Sequence, residues 1–179
     1  MSNAQIQTQT TEDICPNWLD QLPKYLRVYG QPIVSLMGDT TYGIEILARA
    51  SVPGQGLLTP NRFIPQLTQQ GRMQQLDYIM LCEAIALFET LAARSVHPLP
   101  LISVNVTPRV LTNFEYLHHV LKAADTVCGI KGHLQLEVTE EQLLDRAMLP
   151  ALNNLRDAGI RIAIVTQFGR ASRTVLTNR

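Results

Sequence analysis

Two glutamates and an asparagine close short apolar runs in this chain: Glu45 in GIEILAR, Asn105 in LISVNV and Glu137 in LQLEVTEE. Brought together from three strand ends, two carboxylates and an amide oxygen form a hard-oxygen set suited to Mg²⁺ or Mn²⁺. A carboxylate at a strand end also serves as an N-cap or a salt-bridge partner, so residue type alone leaves both readings open. Other reactive side chains are expected to be structural. His118 and His119 are neighbours on an expected helix, where adjacent positions point about 100° apart, so they cannot chelate one ion as an i, i+4 pair could. His97 and His133 stand at loop-to-strand junctions and are expected to bond backbone. Cys15, Cys82 and Cys128 are odd in number and lack zinc-ligand spacing, which suits reduced thiols in a cytosolic protein.

The elements that must carry these residues follow from the apolar rhythm. Val28 to Leu36 and Tyr42 to Ala50 are β-rich runs joined by Met37-Gly38-Asp39-Thr40, the composition of a hairpin turn. A Gly-rich loop, SVPGQG, follows. Thr59-Pro60 starts a short helix towards Gly71, and Gln74 to Arg94 repeats apolar residues at helical spacing. Beyond Pro100 three apolar runs each end at a helix start: LISVNV at Thr107-Pro108, with a helix through Leu121; HLQLEV at Thr139-Glu140-Glu141-Gln142, a capping-box spacing; and RIAIV at Thr166-Gln167-Phe168-Gly169. Asn105 to Glu137 is 32 residues and Glu137 to Thr166 is 29, the length of one strand-helix unit. Repetition of that unit predicts an α/β fold of parallel strands with helices outside, and a (β/α) barrel leads, with its reactive groups at the carboxyl ends of the strands.

Composition excludes several classes. Fifteen basic and fifteen acidic residues leave no net charge in 179 residues, without the basic excess that a DNA or RNA backbone demands. No apolar run is long enough for a membrane span and no signal segment opens the chain, so a cytoplasmic location is expected. Charged residues make up only 17% against 46% hydrophobic, a thin polar surface that suggests cover by a partner. Residues 1–27 are expected to be an N-terminal tail and a short pre-barrel helix, anchored by Trp18, and 28–179 the domain proper.

Several segments, in order, resemble the EAL-domain family, bacterial phosphodiesterases that open cyclic di-GMP. Tyr29-Gly30-Gln31-Pro32-Ile33-Val34 is similar to the family's opening strand, and Gly43-Ile44-Glu45-Ile46-Leu47-Ala48-Arg49 to its Glu-Ala-Leu motif with Ile in place of Ala. Phe63-Ile64-Pro65, Leu76-Asp77, Ser103-Val104-Asn105-Val106-Thr107, Leu136-Glu137-Val138-Thr139-Glu140 and Ala158-Gly159-Ile160 through Phe168-Gly169 continue the likeness. The resemblance implies a TIM-type barrel, with Glu45, Asn105 and Glu137 at the positions of the first metal. It places Gln31, Leu47 and Arg49 at positions that contact the dinucleotide. A planar guanidinium suits Arg49 to phosphate, although a salt bridge to a barrel carboxylate would also account for it.

Two departures shape the expected function. Thr166 and Gln167 stand where the family has the two metal-binding aspartates of Asp-Asp-Phe-Gly, which removes two negative charges from a two-metal site and predicts weak metal binding and no catalysis. The chain also stops ten residues after Gly169, so a partial barrel lacking the C-terminal strands is expected. Its open edge would be covered by a protein partner, by self-association, or by the tail from Arg170 folding back. The leading reading is therefore a catalytically degenerate EAL-like signalling protein acting by protein interaction, with residual cyclic di-GMP binding open. Alternatives are an active phosphodiesterase and a non-functional fragment of a longer EAL protein.

Overall fold

Period-two alternation along the strands gives the sheet two unlike faces, and this decides where helices pack and where a site can form. The structure, a computed structural model, describes residues 16–35, 41–94, 97–139, 146–165 and 173–176. Its seven strands are β1 (Leu26–Val34), β2 (Thr41–Val52), β3 (Gly56–Leu58), β4 (Leu101–Asn105), β5 (Leu134–Thr139), β6 (Arg161–Val165) and β7 (Arg173–Leu176). They form one sheet in the order β1-β2-β4-β5-β6-β7, with β3 also paired to β2. The four strands β2, β4, β5 and β6 run parallel, while β1, β3 and β7 pair antiparallel. This is the expected α/β architecture, a partial TIM-type barrel.

The outward face is apolar: Ile46, Ile102, Val104, Leu134, Leu136, Val138 and Ile162 are all at most 1% exposed. Helices α3 (Met73–Ala93), α5 (Phe114–Thr126) and α6 (Leu149–Asp157) lie over it, contributing Met80, Ala84, Phe88, Val120 and Leu155 to one core. Short helices α1 (Leu22–Tyr25), α2 (Pro60–Gln69) and α4 (Pro108–Leu111) complete the layer. Pro60 and Pro108 fall in the first helical turn, where a missing N–H costs nothing. Leu19 and Leu22 of the pre-barrel turn are fully buried in the same core, and Arg72 ties that turn down through a 2.9 Å ion pair with Asp20. No helix among the described residues is long and apolar enough to cross a membrane.

Four features correct or refine the sequence expectations. The helix expected from Pro108 through Leu121 is two helices, because the Asn113 side chain accepts a hydrogen bond from Tyr116 N at 3.0 Å and starts α5 afresh. Asn113→Ala is expected to cost about 1 kcal/mol of stability, read as a lower urea midpoint at unchanged slope. The Gly-rich loop SVPGQG is the turn of a second hairpin, in which Val52 faces Gly56 and Ala50 faces Leu58. Thr107 stands at the N-cap position of α4, as the Thr-Pro start implies, but its side chain makes no capping bond and bonds Asp77 instead. Finally, β7 runs antiparallel along β6 from Val165↔Arg173 to Ile162↔Leu176. Of the three covers expected for the open edge, the tail folding back is the one found along these residues. The hairpin turn at 37–40, the capping box beyond Thr139 and the side chain of Trp18 lie outside the described residues.

Candidate functional site

In parallel and antiparallel ladders alike, residues directly opposite share a face, so the register shows which side chains meet. Glu45 lies opposite Ser103, Ser103 opposite Gln135, Asn105 opposite Glu137, and Glu137 opposite Ala163. The inward face is therefore polar where the outward one is apolar. Asn105 Nδ2 donates to Glu45 Oε1 at 3.0 Å, Ser103 Oγ donates to Glu137 Oε1 at 2.5 Å, and Gln135 Nε2 donates to Ser103 Oγ at 3.0 Å. Glu137, Gln135 and Ser103 are buried, whereas Glu45 is half-buried and Asn105 exposed. The polar column runs from the barrel interior to the open strand ends.

The β1–β2 hairpin extends this face to the rim. Gln31 lies opposite Glu45, Tyr29 opposite Leu47 and Arg27 opposite Arg49. Thus Gln31, Leu47 and Arg49 share one face with Glu45. The Arg49 guanidinium donates through Nη1 to the carbonyl of Ala48 at 2.7 Å. It forms no ion pair among the described residues, where the pairs are Arg72–Asp20, Lys131–Asp125 and Arg156–Asp157.

A cavity of about 260 Å³ opens at the strand ends, lined by Leu47, Asn105 and Glu137 on the sheet side and by Ile64, Met73 and Asp77 on the helix side. Glu45, Asn105 and Glu137 fit one hard divalent ion. Two carboxylates with an amide oxygen match Mg²⁺, which keeps water or phosphate oxygens in its remaining positions. No cluster of three or more His, Cys, Asp or Glu side chains among the described residues offers a different centre. Thr166 and Gln167 lie outside the described residues.

One site residue had been read from the sequence only as part of a helix. Asp77, 4% exposed in α3, accepts from Thr107 N at 3.2 Å and from the Thr107 hydroxyl, two residues past Asn105. Burial raises its carboxyl pKa to about 6, against the pull of both Thr107 hydrogen bonds. The nearby Tyr116 hydroxyl is buried with no hydrogen-bond partner among the described residues, and burial followed by the Asp77 charge pushes its pKa up. An acid on an otherwise apolar helix face was the available signal. His133 Nδ1 lies 3.3 Å from the Pro100 carbonyl, the backbone contact expected of it, while His118 stacks on Phe114 and His119 bridges the Tyr78 hydroxyl and the Cys82 thiol.

The sequence profile of the EAL domain matches residues 19–175. Over 142 residues the chain is 29% identical to the oxygen sensor protein DosP of Escherichia coli, covering 78% of this chain and 18% of DosP. It is 30% identical over 141 residues to the cyclic di-GMP phosphodiesterase NbdA of Pseudomonas aeruginosa, again covering 78% of this chain and 18% of the relative. Among solved structures, PaMucR phosphodiesterase in its c-di-GMP complex superposes with a TM-score of 0.76 at 28% identity, over 88% of this chain and 65% of that one. The chain thus spans less than a fifth of these two relatives' lengths and about two-thirds of the solved one.

Proposed function

Since this chain belongs to the EAL-domain family, we propose that it is a catalytically silent member that binds cyclic di-GMP on its strand-end face and acts by contact with a protein partner. The observation that carries this reading is the donor inventory of that face. Glu45, Asn105 and Glu137 supply two carboxylates and one amide, and in sequence the two positions where the family resemblance has metal-binding aspartates hold the neutral Thr166 and Gln167. Such a set would hold one Mg²⁺ or Mn²⁺, whose chemistry when bound is to neutralise charge on a phosphate oxygen. In-line displacement by a two-metal site needs a second ion between attacking and leaving oxygens, and two neutral side chains do not provide the charge for it.

Binding asks less than hydrolysis. Gln31, Leu47 and Arg49 share this face on successive rungs that lead from Glu45 out to the rim, and Arg49 has no carboxylate to satisfy it among the described residues. The PaMucR structure to which the chain is similar is a complex with c-di-GMP. Contact with a protein partner is favoured by the low charged content and by exposed apolar side chains such as Phe114, which is 80% exposed.

The test is incubation of the purified chain with cyclic di-GMP and Mg²⁺ or Mn²⁺, the products followed by chromatography and binding by calorimetry. Saturable heat with the cyclic dinucleotide left intact is expected. Linear dinucleotide accumulating beyond one equivalent would sink the silent reading. Absence of heat at high protein concentration would sink the binding half and leave protein contact alone.

A further inference from the structure

We infer that Arg27 and Tyr29, which the family resemblance does not single out, complete the dinucleotide site as a second phosphate grip and a base-stacking platform. This rests on the proposal that the strand-end face binds cyclic di-GMP. The register of β1 on β2 is regular from Leu26↔Ala50 to Ile33↔Gly43, so Arg27 and Arg49 share a face as direct cross-strand neighbours. Side chains so placed start about 4.5–5.5 Å apart at Cβ, and two like charges there destabilise the hairpin. A hairpin that keeps such a pair would normally compensate it with a carboxylate. Among the described residues none is ion-paired to either arginine.

The two guanidiniums are instead tethered to backbone by one nitrogen each. Arg27 Nη1 donates to the carbonyls of Leu26 at 2.7 Å and Lys24 at 2.9 Å, and Arg49 Nη1 to that of Ala48 at 2.7 Å. Tethering fixes each fork while leaving its other donors for an anion, and a phosphate between them would turn repulsion into two charge-assisted hydrogen-bond sets. The chain as a whole carries no net charge, so this attraction is local to the rim.

The next rung inward pairs Tyr29 with Leu47, and the one after pairs Gln31 with Glu45. Tyr29 is 47% exposed although its neighbour Leu47 lines the strand-end cavity. From the rim inward the three rungs are thus cationic, then aromatic and aliphatic, then amide and carboxylate. That order fits a ligand with phosphate at the rim, a flat base beneath it and polar base or ribose edges deeper in.

The test is calorimetric titration of cyclic di-GMP into wild type, Arg27→Ala, Arg27→Gln, Tyr29→Ala and Tyr29→Phe at several salt concentrations. Arg27→Ala and Arg27→Gln are each expected to weaken binding roughly tenfold and to lower the slope of log affinity against log salt by about one. Tyr29→Ala should weaken it roughly tenfold, with Tyr29→Phe close to wild type because stacking needs the ring and not the hydroxyl. Binding within twofold of wild type for the Arg27 and Tyr29 variants, with an unchanged salt slope, overturns the inference while leaving the parent reading intact. Wild type that binds no cyclic di-GMP overturns both. Loss in Arg27→Ala that Arg27→Gln does not share would mark a packing effect and also overturns the phosphate grip.

Discussion

Replacing Arg49 with alanine is expected to weaken cyclic di-GMP binding by roughly 30- to 100-fold, the loss of about 2–3 kcal/mol for hydrogen bonds to a charged partner. The magnitude follows from how the side chain is held. Arg49 is half-buried on a regular ladder, and its Nη1 is already anchored to the Ala48 carbonyl at 2.7 Å. Little rotamer freedom is left to lose on binding, so most of each new hydrogen bond appears as affinity. Arg49→Lys keeps the charge and loses the planar fork, and an intermediate loss is expected. Stability should move little, because the same substitution that removes the Ala48 tether also removes the like-charge rung with Arg27. Calorimetry beside urea denaturation separates the two quantities. An Arg49→Ala protein that binds as tightly as wild type would mean that the dinucleotide is not seated on this face.

What the sequence made legible was set by local, periodic physics. The alternation in LISVNV and LQLEVT placed Ile102, Val104, Leu136 and Val138 against helices, and the same alternation had to turn Asn105 and Glu137 to the other face. A spacing of about thirty residues then implied parallel neighbours, which brought those two residues level. Features that depend on contacts distant in sequence were not legible. Thr107 before Pro108 has the composition of an N-cap, but its hydroxyl bonds Asp77, thirty residues earlier and on another element. The break before α5 was hidden because apolar residues continue on both sides, with Val110 and Leu111 buried before it and Tyr116 and Val120 after. β3 has three residues and no apolar period of its own, so its strand character comes entirely from pairing with β2. Arg27 and Tyr29 read as ordinary strand residues until the register set them opposite Arg49 and Leu47.

The pairing of β7 with β6 also changes where a partner would dock. The free edge of β6 is taken between Ile162 and Val165, and in the described sheet the outer strands are β1 and β7, both antiparallel. β1 carries the rim residues on one face, and its outer edge pairs with no other strand among the described residues, so a chain adding to that edge would lie beside Arg27, Tyr29 and Gln31. Ligand and partner would then meet on one strand.

Wild-type stability is expected to fall as pH rises from about 4 to about 6, by up to about 3 kcal/mol relative to Asp77→Asn. The sign follows from where the proton sits. Burial raises Asp77 from 3.8 to about 6 in the folded chain, so between those values the folded state keeps a proton that the unfolded state has released. Stability is then greatest below the unfolded value, declines across the interval and becomes level once both states are ionised. An asparagine accepts the same two Thr107 donors without that dependence, so the wild-type minus Asp77→Asn difference in urea midpoints isolates the effect from the other carboxylates. A difference that stays flat between pH 4 and 6.5 would show that Asp77 ionises as it would in water. Position explains why an acid with this cost is present at all. It ties α3 to the turn two residues beyond Asn105 and lines the same cavity as Asn105 and Glu137. The stability lost between about pH 4 and 6 is therefore lost at the group that fixes the chain leaving the strand-end site.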